Sequence, residues 1–125
     1  MSGPRILIVE DSTMVRITVK RTLASVDFSV DEAKDGQIGL DKAMASSDNP
    51  YDLILTDLNM PNLDGLSMIQ QLRETEAYAD TPIVMLTTES GEEKKAVGHG
   101  SGISAWLVKP FEPDALIETV GSMLF

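Results

Sequence analysis

Four short apolar runs constrain this chain more than any other feature: Ile6-Leu7-Ile8-Val9, Leu53-Ile54-Leu55, Ile83-Val84-Met85-Leu86 and Trp106-Leu107-Val108. Each is flanked by polar or turn residues and is too short for a buried helix. Such runs read as β-strands buried on both faces. A fifth stretch, Phe28-Ser29-Val30-Asp31-Glu32-Ala33, alternates apolar and polar residues, as a strand at a sheet edge does.

Segments of helical period separate the strands. The first carries Val15, Val19, Leu23 and Val26 on one face after Ser12 or Thr13 as N-cap. A second runs from about Gln37 to Ala45. A third follows Asp64-Gly65 with Leu66, Ile69 and Leu72 inward, and the last begins near Pro113 with Leu116, Ile117, Val120 and Leu124 inward. A fourth, from Glu92 to about Val97, is mostly charged and runs into Gly98-His99-Gly100-Ser101-Gly102, so its apolar stripe is poor. Strand then helix, five times over, requires right-handed crossovers and a five-stranded parallel sheet covered on both sides: a doubly wound (βα)5 α/β sandwich of three layers.

At 125 residues the chain can bury one core, so one domain over residues 1–125 is expected, with no repeat or linker. A formal net charge of -10 argues against nucleic acid or an anionic membrane as partner, because both are bound by clustered Lys and Arg. With no cysteine there is neither a disulfide framework nor a thiolate metal site. No apolar run is long enough for a signal peptide or a membrane span, which makes a soluble cytoplasmic protein the expectation.

In open parallel sheets, ligands bind beyond the carboxyl ends of the strands. Those ends carry Glu10-Asp11, Asp57, Thr87 and Lys109. Three carboxylates gathered there repel one another unless a cation neutralises them. Magnesium suits such a set, because it needs few protein carboxylates and takes its remaining oxygens from water or phosphate. Lys109 and the Thr87 hydroxyl would bind that phosphate. Singly, each residue also has an ordinary structural reading: Asp11 as a helix cap, Asp57 as a turn cap, Thr87 as a strand residue and Lys109 as a solvated lysine. Their joint placement at one sheet edge favours a site.

Taken together, Ile6-Leu7-Ile8-Val9-Glu10-Asp11-Ser12, Leu55-Thr56-Asp57-Leu58-Asn59-Met60-Pro61, Asp64-Gly65, Thr87 and Lys109-Pro110-Phe111 resemble the receiver domain of two-component response regulators. The resemblance runs from about Ile6 to the C-terminus. It implies the flavodoxin-like strand order 2-1-3-4-5, for which the chemotaxis receiver CheY is a standard example. Thr87-Thr88-Glu89-Ser90, Glu93-Lys94-Lys95, Trp106 and Val108-Lys109-Pro110-Phe111-Glu112-Pro113 carry a finer match to stand-alone chemotaxis receivers of the CheY type. Two positions depart from the pattern: Glu10 stands where many receivers have Asp, and Ile103 where Ala is usual.

The resemblance implies a phosphorylation switch rather than an enzyme. Asp57 would accept a phosphoryl group from a histidine kinase, with Mg2+ bound by Asp11 and Asp57 and helped by Glu10 through water and by the Asn59 carbonyl. Lys109 and Thr87 would take the phosphoryl oxygens. Thr87 and Trp106 would switch, altering the surface formed by the helix expected from Glu92, the strand of Trp106 and the last helix. Asn59 and Glu89 would tune dephosphorylation, and a cis bond is expected before Pro110. The implied partners are a chemotaxis-type kinase, an output protein such as the flagellar motor switch, and a phosphatase. The runner-up is a phosphorelay intermediate that passes its phosphoryl group to a histidine phosphotransferase.

Other readings fit less well. A phosphatase of the haloacid dehalogenase type places its nucleophile after the first strand, whereas Asp57 follows the third. No glycine-rich phosphate loop follows the first strand, and Pro61 and Asn62 occupy positions that a calcium loop needs for a ligand and a glycine. His99, the sole histidine, has no neighbours arranged to hold it as a phosphate carrier.

Overall fold

The computed structural model describes residues 3–58, 60–87 and 102–124, with Thr87 described by its backbone alone. In chain order these form β1 (Arg5–Val9), α1 (Thr13–Ala24), β2 (Ser29–Ala33), α2 (Gly36–Ala45), β3 (Leu53–Asp57), α3 (Gly65–Arg73), a 3-10 turn (Glu76–Tyr78), β4 (Ile83–Thr87), β5 (Ala105–Val108) and α4 (Pro113–Leu124). The helix expected from Glu92 lies outside the described residues, as does His99. No helix among the described residues is long and apolar enough to cross a membrane.

All pairings are parallel and the sheet order is β2-β1-β3-β4-β5, as the resemblance implied. Alternate residues of each strand face opposite ways, so the sheet divides the core in two. Leu7, Val9, Ile54, Ile83 and Met85 pack with Leu40 and Ala43 of α2 and Met68, Ile69 and Leu72 of α3. Ile6, Ile8, Leu53, Leu55, Val84 and Leu86 pack on the other side with Val19 and Leu23 of α1 and Leu116 and Val120 of α4. Helix starts are set by side-chain caps that satisfy backbone N–H groups: Ser12 for α1, Asp35 for α2 and Asp64 for α3. The cap of α1 is therefore Ser12 and not Thr13.

Three expectations are corrected. The run Trp106-Leu107-Val108 is not fully buried: β5 is an edge strand, Trp106 is half-buried and Val108 is 47% exposed. In α3 the buried stripe uses Met68 with Ile69 and Leu72, while Leu66 is only half-buried. Val26 lies beyond the end of α1, where its N–H closes a turn onto the Leu23 carbonyl. Helical period alone does not say where a helix stops. The expected cis bond is present between Lys109 and Pro110.

One close approach matters for the site. A Cβ built on Gly36, the first residue of α2, would lie 1.9 Å from the Leu63 carbonyl oxygen, so the loop after β3 rests directly on the start of α2. Gly36→Ala must push backbone from backbone. It is expected to cost about 2–3 kcal/mol, measured as a lower urea midpoint at unchanged slope; an unchanged midpoint would show that the contact yields freely.

Candidate functional site

The carboxyl ends of β1 and β3 are adjacent because these strands pair, with Val9 opposite Thr56. The sequence next places Glu10 and Asp11 after β1 and Asp57 at the end of β3. One carboxylate oxygen from each of Glu10, Asp11 and Asp57 lies within 4.8 Å of the others. Glu10 is buried, Asp57 half-buried and Asp11 exposed, so the cluster opens to solvent on the Asp11 side.

Lys109, one residue past β5, reaches into this cluster. Its Nζ donates to Glu10 Oε1 at 2.7 Å and stands 3.4 Å from Asp57 Oδ2. The other oxygen of Glu10, Oε2, accepts from the Ser12 N–H at 3.0 Å. Asp57 Oδ1 accepts from the Leu58 N–H at 2.8 Å, and the Asp57 backbone carbonyl accepts from the buried Thr56 hydroxyl at 2.9 Å. Arg16 Nη1 donates to the Glu10 carbonyl at 2.7 Å, which anchors the start of the β1–α1 loop.

The electrostatics follow from burial and from the excess of negative charge. Burial pushes the Glu10 carboxyl above its ordinary value, although the Lys109 and Ser12 hydrogen bonds pull it down. Burial also raises Asp57, opposed by the Lys109 charge and the Leu58 N–H and reinforced by Asp11. Burial works against the Lys109 ammonium, but its hydrogen bond to Glu10 and the charge of Asp57 outweigh it, and its pKa rises. Among the described residues, one ammonium thus pairs with two of the three clustered carboxylates, a set short of positive charge.

The donor chemistry fits a hard cation. All three side chains offer oxygen, and no sulfur or imidazole ligand is among them. Glu10 is already committed to Lys109 and Ser12, which suits a part played through water and leaves Asp11 and Asp57 as the direct candidates.

Thr87 ends β4 and lies in register with Val108, while Asp57 pairs with Leu86; the backbone thus sets Thr87 one residue past Asp57's neighbour. Trp106 pairs with Met85 and packs against the α2–α3 side of the core. Ile103, the second departure, packs there too. Asn59, Glu89 and the Thr87 side chain lie outside the described residues. Sequence reasoning overlooked Asp35 and Asn62, whose side chains join at 2.9 Å beside the β3–α3 loop. The Asp35-Gly36 pair after an edge strand was the available signal.

The family model for the response regulator receiver domain matches residues 6–121. The chain belongs to the response regulator receiver domain family. Receiver domains act as phosphoacceptor switches in two-component signalling and bind Mg2+ at an acidic pocket, which is where this chain carries Glu10, Asp11 and Asp57. This receiver is similar to the solved chemotaxis response regulator CheY4 of Vibrio cholerae, with 38% identity, a TM-score of 0.89 and coverage of 98% of this chain and 100% of that one. It is 32% identical to chemotaxis protein CheY1 of Helicobacter pylori across 96% of both chains. It is 35% identical to transcriptional regulatory protein ResD of Bacillus subtilis across 96% of this chain but only 48% of ResD. The chain spans about half the length of several regulators it matches, including ResD and ArlR.

Proposed function

We propose that Asp57 of this receiver accepts a phosphoryl group from a phosphohistidine on a partner kinase, and that the resulting acyl phosphate drives a switch used in chemotaxis. The observation that carries this reading is the setting of the Asp57 carboxylate: Oδ1 is held by the Leu58 N–H, and Oδ2 faces the Lys109 ammonium at 3.4 Å. A carboxylate oriented on one side and flanked by a cation on the other is placed to attack an incoming phosphorus. The new O–P bond forms as the P–N bond to the kinase imidazole breaks, with the electron pair leaving on that nitrogen. Lys109 then pairs with the phosphoryl oxygens, and the Thr87 hydroxyl takes another.

A magnesium ion held by Asp11 and Asp57, with the Asn59 carbonyl and with Glu10 through water, would offset charge on the transferring phosphoryl group. Asn59 and Glu89 govern access of hydrolytic water. Movement of Thr87 toward the phosphoryl group lets Trp106 turn inward and changes the surface that includes β5 and α4. The similarity to CheY4 and CheY1 supports chemotaxis, with the flagellar motor switch as output and a phosphatase ending the signal. If the chain is instead a phosphorelay intermediate, its phosphorylated form will be captured by a histidine phosphotransferase and not by a motor component.

Incubation with magnesium and acetyl phosphate tests the reading. Intact mass should rise by one phosphoryl group, and the rise should vanish with EDTA. Fluorescence of Trp106, the sole tryptophan, should change in step. No gain of mass overturns the acceptor role. Mass gain at constant fluorescence overturns only the part given to Trp106.

A further inference from the structure

We propose that Asp35 and Asn62 are positioning residues for the phosphoryl-acceptor site, forming a brace that holds the β3–α3 loop, and with it the Asp57 carboxylate, in the geometry that binds the cation. This rests on the function proposed above and adds to it two residues that lie outside the carboxylate cluster of Glu10, Asp11 and Asp57.

Asp35 is buried, 4% exposed, and both of its carboxylate oxygens are engaged. Oδ1 accepts from the Ile38 N–H at 2.8 Å and caps α2, while Oδ2 accepts from Asn62 Nδ2 at 2.9 Å. Asn62 sits in the left-handed region with φ 70°, which Asn tolerates better than most residues. The carbonyl of the next residue, Leu63, rests where a Cβ of Gly36 would be. The loop is therefore fastened to α2 by a side-chain bond and by a backbone contact that only glycine permits.

The fastening reaches the acceptor through backbone. The Gly65 N–H donates to the Leu58 carbonyl at 2.8 Å, closing the loop on itself. A Cβ on Gly65 would lie 2.1 Å from the Asp57 carbonyl oxygen, so the start of α3 is in contact with the residue that must react. The Leu58 N–H in turn orients Asp57 Oδ1. Leu58 is thus held at both of its backbone polar groups, one bonded to the loop's end and the other to the acceptor carboxylate. A loop free to shift on α2 would turn that N–H and spread the orientations of Asp57. Groups that orient metal ligands from behind commonly matter about 10-fold to 100-fold for metal affinity.

The test uses magnesium alone, by titration calorimetry, with thermal melting alongside. Asn62→Gly accepts the positive φ and leaves the α2 cap intact while deleting the amide; magnesium affinity should fall about 10-fold. Asn62→Asp sets two carboxylates against each other, and adding Asp35→Asn restores the bond with donor and acceptor exchanged at unchanged net charge. The double variant should return to within about 2-fold of the wild type, the non-additivity that residues in direct contact show. If Asn62→Gly binds magnesium like the wild type and only melts lower, the brace is merely structural and the proposal is overturned. Failure of the exchanged pair to recover affinity overturns it as well. Wild type that binds no magnesium would instead overturn the reading of the site itself.

Discussion

Asp57→Asn is expected to gain no phosphoryl mass from magnesium and acetyl phosphate while folding more stably than the wild type in metal-free buffer. The first half follows from chemistry, since an amide oxygen at this position has neither the charge nor the nucleophilicity of a carboxylate. The second half follows from linkage. Burial raises the Asp57 pKa in the folded protein, so the folded state holds that proton more tightly than the unfolded chain does. The stability contribution of such a group is present at low pH and is lost as pH rises through the raised value. At neutral pH the charged carboxylate is a burden, and the neutral amide removes it. The Leu58 N–H still finds an oxygen, and Lys109 keeps Glu10. Intact mass and paired thermal melts check both halves. Any phosphoryl mass on the variant would put the acceptor elsewhere, and a lower melting temperature would show that the Lys109 contact outweighs burial.

Lys109→Met has the largest expected effect on stability. The Glu10 side chain is 1% exposed, and its neutralising partner is the Lys109 ammonium at 2.7 Å. Removing that partner leaves a buried carboxylate beside Asp11 and Asp57. Breaking a buried pair from one side costs about 3–5 kcal/mol at neutral pH, and the lower end applies here because the cluster opens to solvent at Asp11. The pH dependence has a definite sign. Glu10 is already raised by burial, and loss of the Lys109 hydrogen bond raises it further. The folded variant therefore binds a proton that the unfolded chain releases, and its deficit relative to wild type should shrink as pH falls toward the ordinary carboxylate range. Magnesium should shrink the deficit too, by supplying the missing positive charge. Urea titrations of both proteins across pH, with and without magnesium, read these effects. A deficit independent of pH would show that lost packing of the lysine stem, not lost charge, is the cause.

The candidate site was legible in the sequence because strand ends are legible. Each short apolar run stops at a residue that carries chemistry, and parallel topology gathers such ends on one edge. Glu10, Asp11, Asp57 and Lys109 were all found this way, and the structure brings them together. Asp35 and Asn62 were not found. They are 27 residues apart, and what joins them is the seating of a loop on a helix two elements away, which no local pattern encodes. The burial of Tyr51 and Tyr78 was equally hidden. The Tyr78 hydroxyl donates to the Ala43 carbonyl at 2.7 Å, and the Tyr51 hydroxyl donates to Asp31 at 2.6 Å, with burial and that hydrogen bond holding its pKa up at about 12. Each ring is admitted to the core because a distant element takes its polar end.

Local chemistry was enough for the type of each described element, for a start of α1 at Ser12 or Thr13 and of α3 after Asp64, and for the list of groups that could meet a phosphoryl group and a cation. These depend on residue type and period, which act over a few residues. Packing of the whole chain was needed to make β5 an edge strand with Val108 exposed, to choose Met68 over Leu66, and to commit Glu10 to Lys109 across 99 residues of sequence. The reason is that burial and ion pairing are set by distance in space. A run of apolar residues reads the same at the centre of a sheet as at its edge until its neighbours are known.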